Sequence, residues 1–160
     1  MKFSRKKKIK LIIKRAFDIL FSALLILILA PFLAIMYLIV MICNGKPVVF
    51  KQERIGKGGK PFTIYKFRSM IVDAEKDKPE LMTGANELSD PRLTPLGSFM
   101  RKHHIDELLQ LFNVIKGDMS FIGYRPERKY FIDQIMQIDS RYQQLYSMRP
   151  GVTSYATLHN

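Results

Sequence analysis

One long apolar stretch dominates the pattern of hydrophobic and polar positions along the chain. Residues 19–43 run for 25 positions without a formally charged side chain. At about 1.5 Å per residue, a helix of this length is long enough to cross a hydrocarbon core of roughly 30 Å once. The pattern therefore predicts a helix that lies in lipid.

Pro31 and the charge of the two flanks favour a re-entrant helix over a straight span. Proline removes a backbone donor and costs roughly 3 kcal/mol in a helix interior, so we predict a break at this position. Lysine and arginine are in excess on both flanks, and the positive-inside tendency asks for both flanks on the cytoplasmic side. A helix that enters the bilayer, breaks and returns to the same face satisfies both conditions. A single span that tolerates its proline is the alternative.

The charge balance points to an acidic partner. The 160 residues include 26 Lys and Arg against 14 Asp and Glu, a formal net charge of +12. This excess suits anionic lipid, nucleic acid or a phosphorylated substrate, and lipid comes first beside a membrane stretch. We expect no nucleic-acid partner, because basic and aromatic residues are not interleaved in the N-terminal arm as a stacking groove requires. The single cysteine, Cys43, excludes an intrachain disulfide and suggests no metal cluster.

The pattern changes after Asn44 and Gly45, which are typical of a helix end. Residues 47–70 contain two β-prone runs around a glycine-rich turn and predict a β-hairpin, with Lys66 and Arg68 on one face of its second strand. The turn lacks the sequence context of a nucleotide-binding loop. Residues 73–90 predict a loop or a short helix, and residues 149–160 are rich in turn formers.

Apolar residues at helical spacing predict three more helices: one around Gly97, one from residue 105 that ends at Gly117, and one over residues 127–148. Asp106 and Glu107 share a position near the start of the second of these helices. Acidic side chains in a first turn stabilise a helix without any other role, and this is the simplest explanation of the pair. The cations close by in sequence suit instead an anionic substrate held beside a carboxylate.

The order of the motifs resembles the bacterial sugar transferase family, the monotopic phosphoglycosyl transferases. The motifs that carry the resemblance are KRAFDILFSALLILILAPFLA, FKQERIGKGGKPFTIYKFRSM, DPRLTPLGSFMRK, IDELLQLFNVIKGDMSFIGYRPE and RPGVTS. They cover nearly the whole chain. The chain has Ala30 and Tyr124 where the family often has serine and proline. Family members usually continue beyond the last motif, so the resemblance leads us to expect a C-terminal part that is missing after Asn160.

The resemblance implies an α+β, mainly helical, monotopic membrane protein. Residues 1–18 are expected to form a basic interfacial arm, and residues 19–43 a re-entrant membrane helix broken at its proline. Residues 44–160 are expected to form a cytoplasmic catalytic domain with interfacial amphipathic helices and a small β-hairpin. The expected location is the cytoplasmic face of the bacterial inner membrane, in contact with phospholipid.

The resemblance also implies a reaction and its residues. The family transfers a sugar 1-phosphate from a UDP-sugar to a polyprenol phosphate, such as undecaprenyl phosphate, with Mg²⁺ as cofactor. Asp106 and Glu107 match the catalytic dyad, in which the aspartate attacks the β-phosphate and releases UMP. Both are candidate metal ligands, and whether Glu107 is a base or a metal ligand stays open. The positions that match the basic motifs, and that are expected to bind substrate phosphate, are Lys66, Arg101, Arg125 and Arg149. A non-catalytic, basic, membrane-anchored scaffold is the alternative function.

Overall fold

The computed structural model describes residues 4–74 and 90–154, so most of the loop predicted over residues 73–90 lies outside the described residues. The described part is α+β and mainly helical, as predicted. Its helices and strands are, in chain order, α1 (Arg5–Asn44), β1 (Val49–Ile55), β2 (Pro61–Phe67), α2 (Pro95–Lys102), α3 (Gln110–Lys116), β3 (Ser120–Ile122), α4 (Lys129–Ile138) and β4 (Gly151–Thr153). The described residues also form three 3₁₀ segments, Lys57–Gly59, Ile105–Leu109 and Ser140–Ser147.

Helix α1 contains the whole apolar stretch. It ends at Asn44, and Gly45 follows with a φ of 72°, a left-handed conformation that glycine adopts readily. The helix continues through Pro31, so the predicted break in the helix is not confirmed. Many of its apolar side chains are exposed, among them Leu27 at 74% and Ile42 at 78%. A helix this long and apolar is able to cross a membrane by its length and composition.

The chain forms two compact units. The first unit contains Met1–Ile28, Lys51–Ile64 and Gln110–Asn160, and the second unit contains Leu29–Phe50 and Tyr65–Leu109. Helix α1 and the β1–β2 hairpin each contribute to both units, because the division falls inside them. The hairpin itself confirms the prediction for residues 47–70.

The core of the second unit forms around one face of α1. Leu33, Met36 and Val40 recur at helical spacing and are buried together with side chains of the hairpin base, α2 and the 3₁₀ segment that follows it. Arg68, directly after β2, holds the end of α1 in place. Its guanidinium donates to the Asn44 and Gly45 carbonyls, and the Asn44 amide donates to the Arg68 carbonyl at 2.9 Å. A cation in this position satisfies carbonyls that a helix end leaves without partners.

The core of the first unit lies between the hairpin and the second sheet. Ile64, Val114 and Met119 are buried there. Strand β3 pairs in parallel with β4, with Ser120 opposite Gly151. The sequence indicated turns at this end of the chain, so β4 is a correction. Three residues carry too little periodic signal to reveal a strand, and this one depends on a partner far away in sequence.

The helix predicted over residues 127–148 is also corrected. Helix α4 ends at Ile138, and Asp139 is extended, with φ −143° and ψ 99°. The Asp139 carboxylate accepts a hydrogen bond from the Arg141 backbone N–H at 2.9 Å and so caps the 3₁₀ segment Ser140–Ser147. Aspartate favours such local capping over a continuous helix, which explains the interruption. The helix predicted around Gly97 is confirmed by α2. The helix predicted from residue 105 to Gly117 is confirmed by α3 from Gln110 onwards, whereas Ile105–Leu109 forms a 3₁₀ segment, and Gly117 ends α3 with a φ of 104°.

Candidate active site

Asp106 and Glu107 lie in the first turn of the 3₁₀ segment Ile105–Leu109, which leads directly into α3. His104 precedes this segment with a φ of 54°, an uncommon conformation for a residue other than glycine. Its backbone N–H donates to the Arg101 carbonyl at 3.1 Å, and its carbonyl accepts from the Glu107 N–H at 3.3 Å. The tight connection fixes the acidic pair close to the end of α2.

Asp106 is almost completely buried, with 5% of its surface exposed. Burial raises the pKa of its carboxyl group, and the charge of Lys66 acts in the opposite direction. Glu107 adds a smaller increase, and Arg101 a smaller decrease. The site therefore combines an aspartate largely removed from water with two cations close enough to stabilise its ionised form.

Among the described residues, Glu107 rather than Asp106 forms the direct ion pair with Lys66. Lys66 Nζ lies 2.8 Å from Glu107 Oε1, and both side chains are about four-fifths buried, at 17% and 22% exposure. Lys66 comes from β2, so the pair connects the hairpin to the 3₁₀ segment within the second unit. Lys66 therefore lies close to both carboxylates and forms its ion pair with Glu107.

Arg101 reaches the site from the last turn of α2. Its Nε donates to Ser69 Oγ at 3.2 Å. The Ser69 carbonyl accepts from the Thr94 N–H at 3.1 Å, and a Cβ on Gly97 would lie only 1.7 Å from the same oxygen. Glycine at position 97 therefore permits the contact that sets α2, and with it Arg101, against the end of the hairpin. Sequence reasoning missed this role, although a glycine inside a short helix is a signal of close packing.

Four of the six predicted site residues lie together in the second unit: Lys66, Arg101, Asp106 and Glu107. Arg125 and Arg149 belong to the first unit. Arg125 Nε lies 3.7 Å from Glu127 Oε1 with half of its side chain exposed, and Arg149 Nε donates to the Gly117 carbonyl at 2.8 Å. Their assignment to substrate phosphate stays a prediction.

Arg92, which is close to the acidic pair in sequence, is bonded to Asp90. Its Nε and Nη2 donate to the two oxygens of that carboxylate at 2.9 and 2.6 Å. Nη1 donates in addition to the Ala74 carbonyl at 3.1 Å. A bidentate pair of this kind orients the chain ahead of α2 and satisfies the charge of both partners.

The acidic pair fits a metal ion that arrives with a phosphorylated substrate. Within residues 4–74 and 90–154, no group of three or more His, Cys, Asp or Glu side chains is arranged to hold a metal. Mg²⁺ is usually bound by one or two carboxylates together with substrate phosphates and water, rather than by a cage of protein ligands. Asp106 and Glu107 supply the carboxylates that this mode of binding needs.

Comparison with known proteins identifies the family of the chain. The model of the bacterial sugar transferase family matches residues 9–160. The chain belongs to this family, which places it among the phosphoglycosyl transferases.

Three similar proteins are named after one kind of reaction. A Bacillus subtilis protein with the provisional name undecaprenyl-phosphate N-acetylgalactosaminyl 1-phosphate transferase is 48% identical over 126 residues, covering 78% of this chain and 67% of the relative. An Aeromonas hydrophila UDP-N-acetylgalactosamine-undecaprenyl-phosphate N-acetylgalactosaminephosphotransferase is 40% identical, covering 90% of this chain and 33% of the relative. An Escherichia coli UDP-glucose:undecaprenyl-phosphate glucose-1-phosphate transferase is 38% identical, covering 92% and 31%. The chain thus spans about a third of the length of the latter two proteins.

Proposed function

We propose that this protein transfers a sugar 1-phosphate from a UDP-sugar to a polyprenol phosphate, such as undecaprenyl phosphate, through a covalent intermediate on Asp106. The observation that carries the proposal is the environment of Asp106, a buried carboxylate next to the Lys66–Glu107 ion pair and within the field of Arg101. The names of the relatives support the class of donor and acceptor.

The first step is an attack by an Asp106 carboxylate oxygen on the β-phosphorus of the UDP-sugar. A bond forms between that oxygen and phosphorus, and the bond from the β-phosphorus to the bridging oxygen breaks. UMP leaves with the bridging oxygen. Asp106 sheds little water before it attacks, because it is already buried, and Lys66 and Arg101 offset the repulsion between a carboxylate and an anionic diphosphate.

The second step returns the enzyme to its starting state. A phosphate oxygen of the polyprenol phosphate attacks the phosphorus held on Asp106, the bond between aspartate and phosphorus breaks, and a polyprenol diphosphate sugar leaves. Dividing the transfer in this way lets two substrates that differ in solubility react one after the other at one carboxylate.

Asp106 and Glu107 are the residues that would hold Mg²⁺ in this proposal. When bound together with the diphosphate, the ion neutralises charge and orients the phosphoryl group. Lys66 keeps the Glu107 carboxylate in a fixed place through the 2.8 Å contact, so that the glutamate is ready either to bind the ion or to accept a proton.

The proposed setting is the cytoplasmic face of the bacterial inner membrane, with α1 entering and leaving the same leaflet. The exposed apolar side chains of α1 and the positive charge on both flanks of residues 19–43 support this placement. A polyprenol carrier stays in the bilayer, so an enzyme that presents its carboxylate near the headgroups meets acceptor and soluble donor in one place.

The release of UMP from UDP-sugars, with and without Mg²⁺, tests this function. We expect release by the wild-type protein with polyprenol phosphate present, and loss of release in Asp106→Asn. Asp133→Asn is the matched control, because Asp133 is an exposed aspartate that pairs with Lys129 on the surface of α4. Turnover by Asp106→Asn would contradict the assignment of the nucleophile, and absence of turnover in every sample would favour the scaffold.

A further inference from the structure

Two arginines from distant parts of the chain meet at Gly117 in the first unit. Arg149 Nε donates to the Gly117 carbonyl at 2.8 Å. Arg15 Nη2 donates to the Ile115 carbonyl at 3.1 Å and lies 3.4 Å from the place that a Cβ on Gly117 would occupy. Arg15 Nη1 lies 3.4 Å from the Met119 carbonyl. The end of α3 therefore holds two guanidinium groups next to each other.

The two guanidinium groups repel each other, and the carbonyls at the end of α3 offset part of that repulsion. Two carboxylates stand near Arg15, but each already has other partners. Asp18 accepts from Ser120 Oγ at 2.8 Å and lies 3.1 Å from Lys14 Nζ. Asp118 lies 3.4 Å from Lys116 Nζ. Counted over the residues that the structure describes, the cluster contains four cations (Lys14, Arg15, Lys116 and Arg149) and two carboxylates (Asp18 and Asp118), so positive charge is in excess there.

The arginines have donors left for a further anion. A guanidinium carries five N–H donors in a planar fork. Among the described residues, Arg15 places two of its nitrogens on carbonyls and Arg149 places one. Both side chains are partly exposed, so the remaining donors are accessible from outside the first unit. The fork geometry matches the oxygens of a phosphate group.

The surroundings of the pair are apolar and exposed. Arg15 precedes the uncharged stretch of α1 by a single turn, and Ile12 and Ile19, one turn away on the same side of the helix, are 68% and 37% exposed. In the same unit, Ile115 is exposed at the end of α3 and Ile122 in β3. A phosphate-binding pair beside exposed hydrocarbon side chains suits a ligand that has both a phosphate and an apolar chain.

We propose that Arg15 and Arg149 together bind the phosphate group of an anionic membrane lipid, whose chains lie along the exposed apolar side chains of α1. The inference rests on the membrane placement proposed above. The resemblance implies that Arg149 contacts the phosphate of a substrate. The lipid site proposed here gives this arginine a different role. A phospholipid and a polyprenol phosphate share the chemistry that the pair recognises, and the experiment separates them.

Retention of lipid by the purified 160-residue chain in nonionic detergent tests the site. The protein is incubated separately with phosphatidylglycerol, a polyprenol phosphate and zwitterionic phosphatidylcholine, and native mass spectrometry measures the lipid that stays bound. We expect Arg15→Gln and Arg149→Gln each to weaken retention of an anionic lipid by about tenfold or more. Arg141→Gln is the matched control, because Arg141 is an exposed arginine paired with Asp139, and it should retain lipid like the wild type.

The lipids whose retention falls in the Gln variants identify which lipid the site binds. A loss confined to phosphatidylglycerol assigns the site to phospholipid, a loss confined to polyprenol phosphate assigns it to the acceptor, and a loss of both supports a general lipid-phosphate site. Unchanged retention in both Gln variants would overturn the proposal. Displacement of the lipid by an equal concentration of inorganic phosphate would also overturn it, because the site would then recognise a free anion.

Two further variants keep the result clear. Arg15→Lys and Arg149→Lys keep the charge but lose the fork, so they should retain lipid less well than the wild type and better than the Gln variants. Thermal unfolding shows whether the Gln variants fold. If they do not, the Lys variants test the proposal in their place. Asp106→Asn should retain lipid like the wild type while releasing no UMP, so failure of the lipid site and failure of the proposed reaction are distinguishable.

Discussion

Lys66 Nζ lies 2.8 Å from Glu107 Oε1, and this contact joins the β-hairpin to the acidic pair. The lysine also lowers the pKa of the neighbouring Asp106 carboxyl, against the stronger effect of burial. One cation therefore acts on both carboxylates, by direct contact with the glutamate and through its field at the aspartate. We expect the site to depend on this side chain more than on any other cation of the second unit.

Replacement of Lys66 by methionine tests this dependence. We expect kcat/KM for UMP release to fall by about 100-fold or more, because one preorganised charge near the reacting phosphate is lost. Lys66→Arg should keep part of the activity. Lys60→Met, at an exposed position of the same hairpin, is the matched control. Equal kcat/KM in Lys66→Met and wild type would show that the ion pair only supports the fold.

Gly97→Ala tests the packing that positions Arg101. The added Cβ would lie 1.7 Å from the Ser69 carbonyl oxygen, a backbone atom that is not able to rotate away. We expect the free energy of unfolding to fall by about 3 kcal/mol, at the upper end of the usual cost of overpacking, and UMP release to fall with it. Ser98→Ala, one position further along α2, should behave like the wild type in thermal unfolding. An equally stable Gly97→Ala protein would show that α2 shifts without cost.

Tyr146 gives a prediction at alkaline pH. Burial, followed by the charges of Tyr142, Asp133 and Glu127, raises its pKa to about 12. Above a pH of about 10, the unfolded chain loses this proton while the folded protein keeps it, so the free energy of unfolding should fall as the pH rises towards 12. In Tyr146→Phe, the free energy of unfolding should fall less steeply over this pH range.

Tyr146→Phe should change the free energy of unfolding little at neutral pH. Among the described residues the buried Tyr146 hydroxyl has no hydrogen-bond partner, so phenylalanine removes an unsatisfied group. Tyr130→Phe is the control, because Tyr130 is 61% exposed and should leave the pH dependence unchanged. Chemical unfolding across pH, with a tyrosinate absorbance titration, measures both effects. An identical pH dependence in Tyr146→Phe and wild type would contradict the prediction.

The topology of α1 is the prediction with the widest consequence for the membrane account. Helical structure continues through Pro31, so the two flanks of the apolar stretch need a direct test. In a Cys43→Ser background, cysteines at positions 2 and 57 can be labelled with a membrane-impermeant maleimide in sealed vesicles. We expect both to react from the cytoplasmic side. Labelling from opposite sides would establish a single span.

The sequence was most informative where local chemistry determines structure. Apolar length defined the core of α1, Gly45 and Gly117 marked helix ends, and two β-prone runs around glycines gave the hairpin. The grouping of Lys66 and Arg101 with the acidic pair followed from the resemblance, and the structure brings these residues together.

Long-range contacts were not predictable in this way. The parallel pairing of β3 with β4 joins short segments separated by α4, and the meeting of Arg15 with Arg149 at Gly117 joins residues near opposite ends of the chain. No local sequence pattern predicts either contact. Asp139, in turn, ended a helix that apolar spacing extended past it, because a side chain that caps the next segment outweighs a weak periodic signal.

The most direct test of the account is to trap the intermediate on Asp106. The purified protein is mixed with a UDP-sugar and Mg²⁺ in the absence of polyprenol phosphate, and intact-protein mass spectrometry is followed by peptide mapping. We predict a phosphosugar adduct on the peptide that contains Asp106, absent in Asp106→Asn and lost from the wild type when acceptor is added. An adduct on another residue, or transfer by a wild-type protein that never carries one, would contradict the central claim.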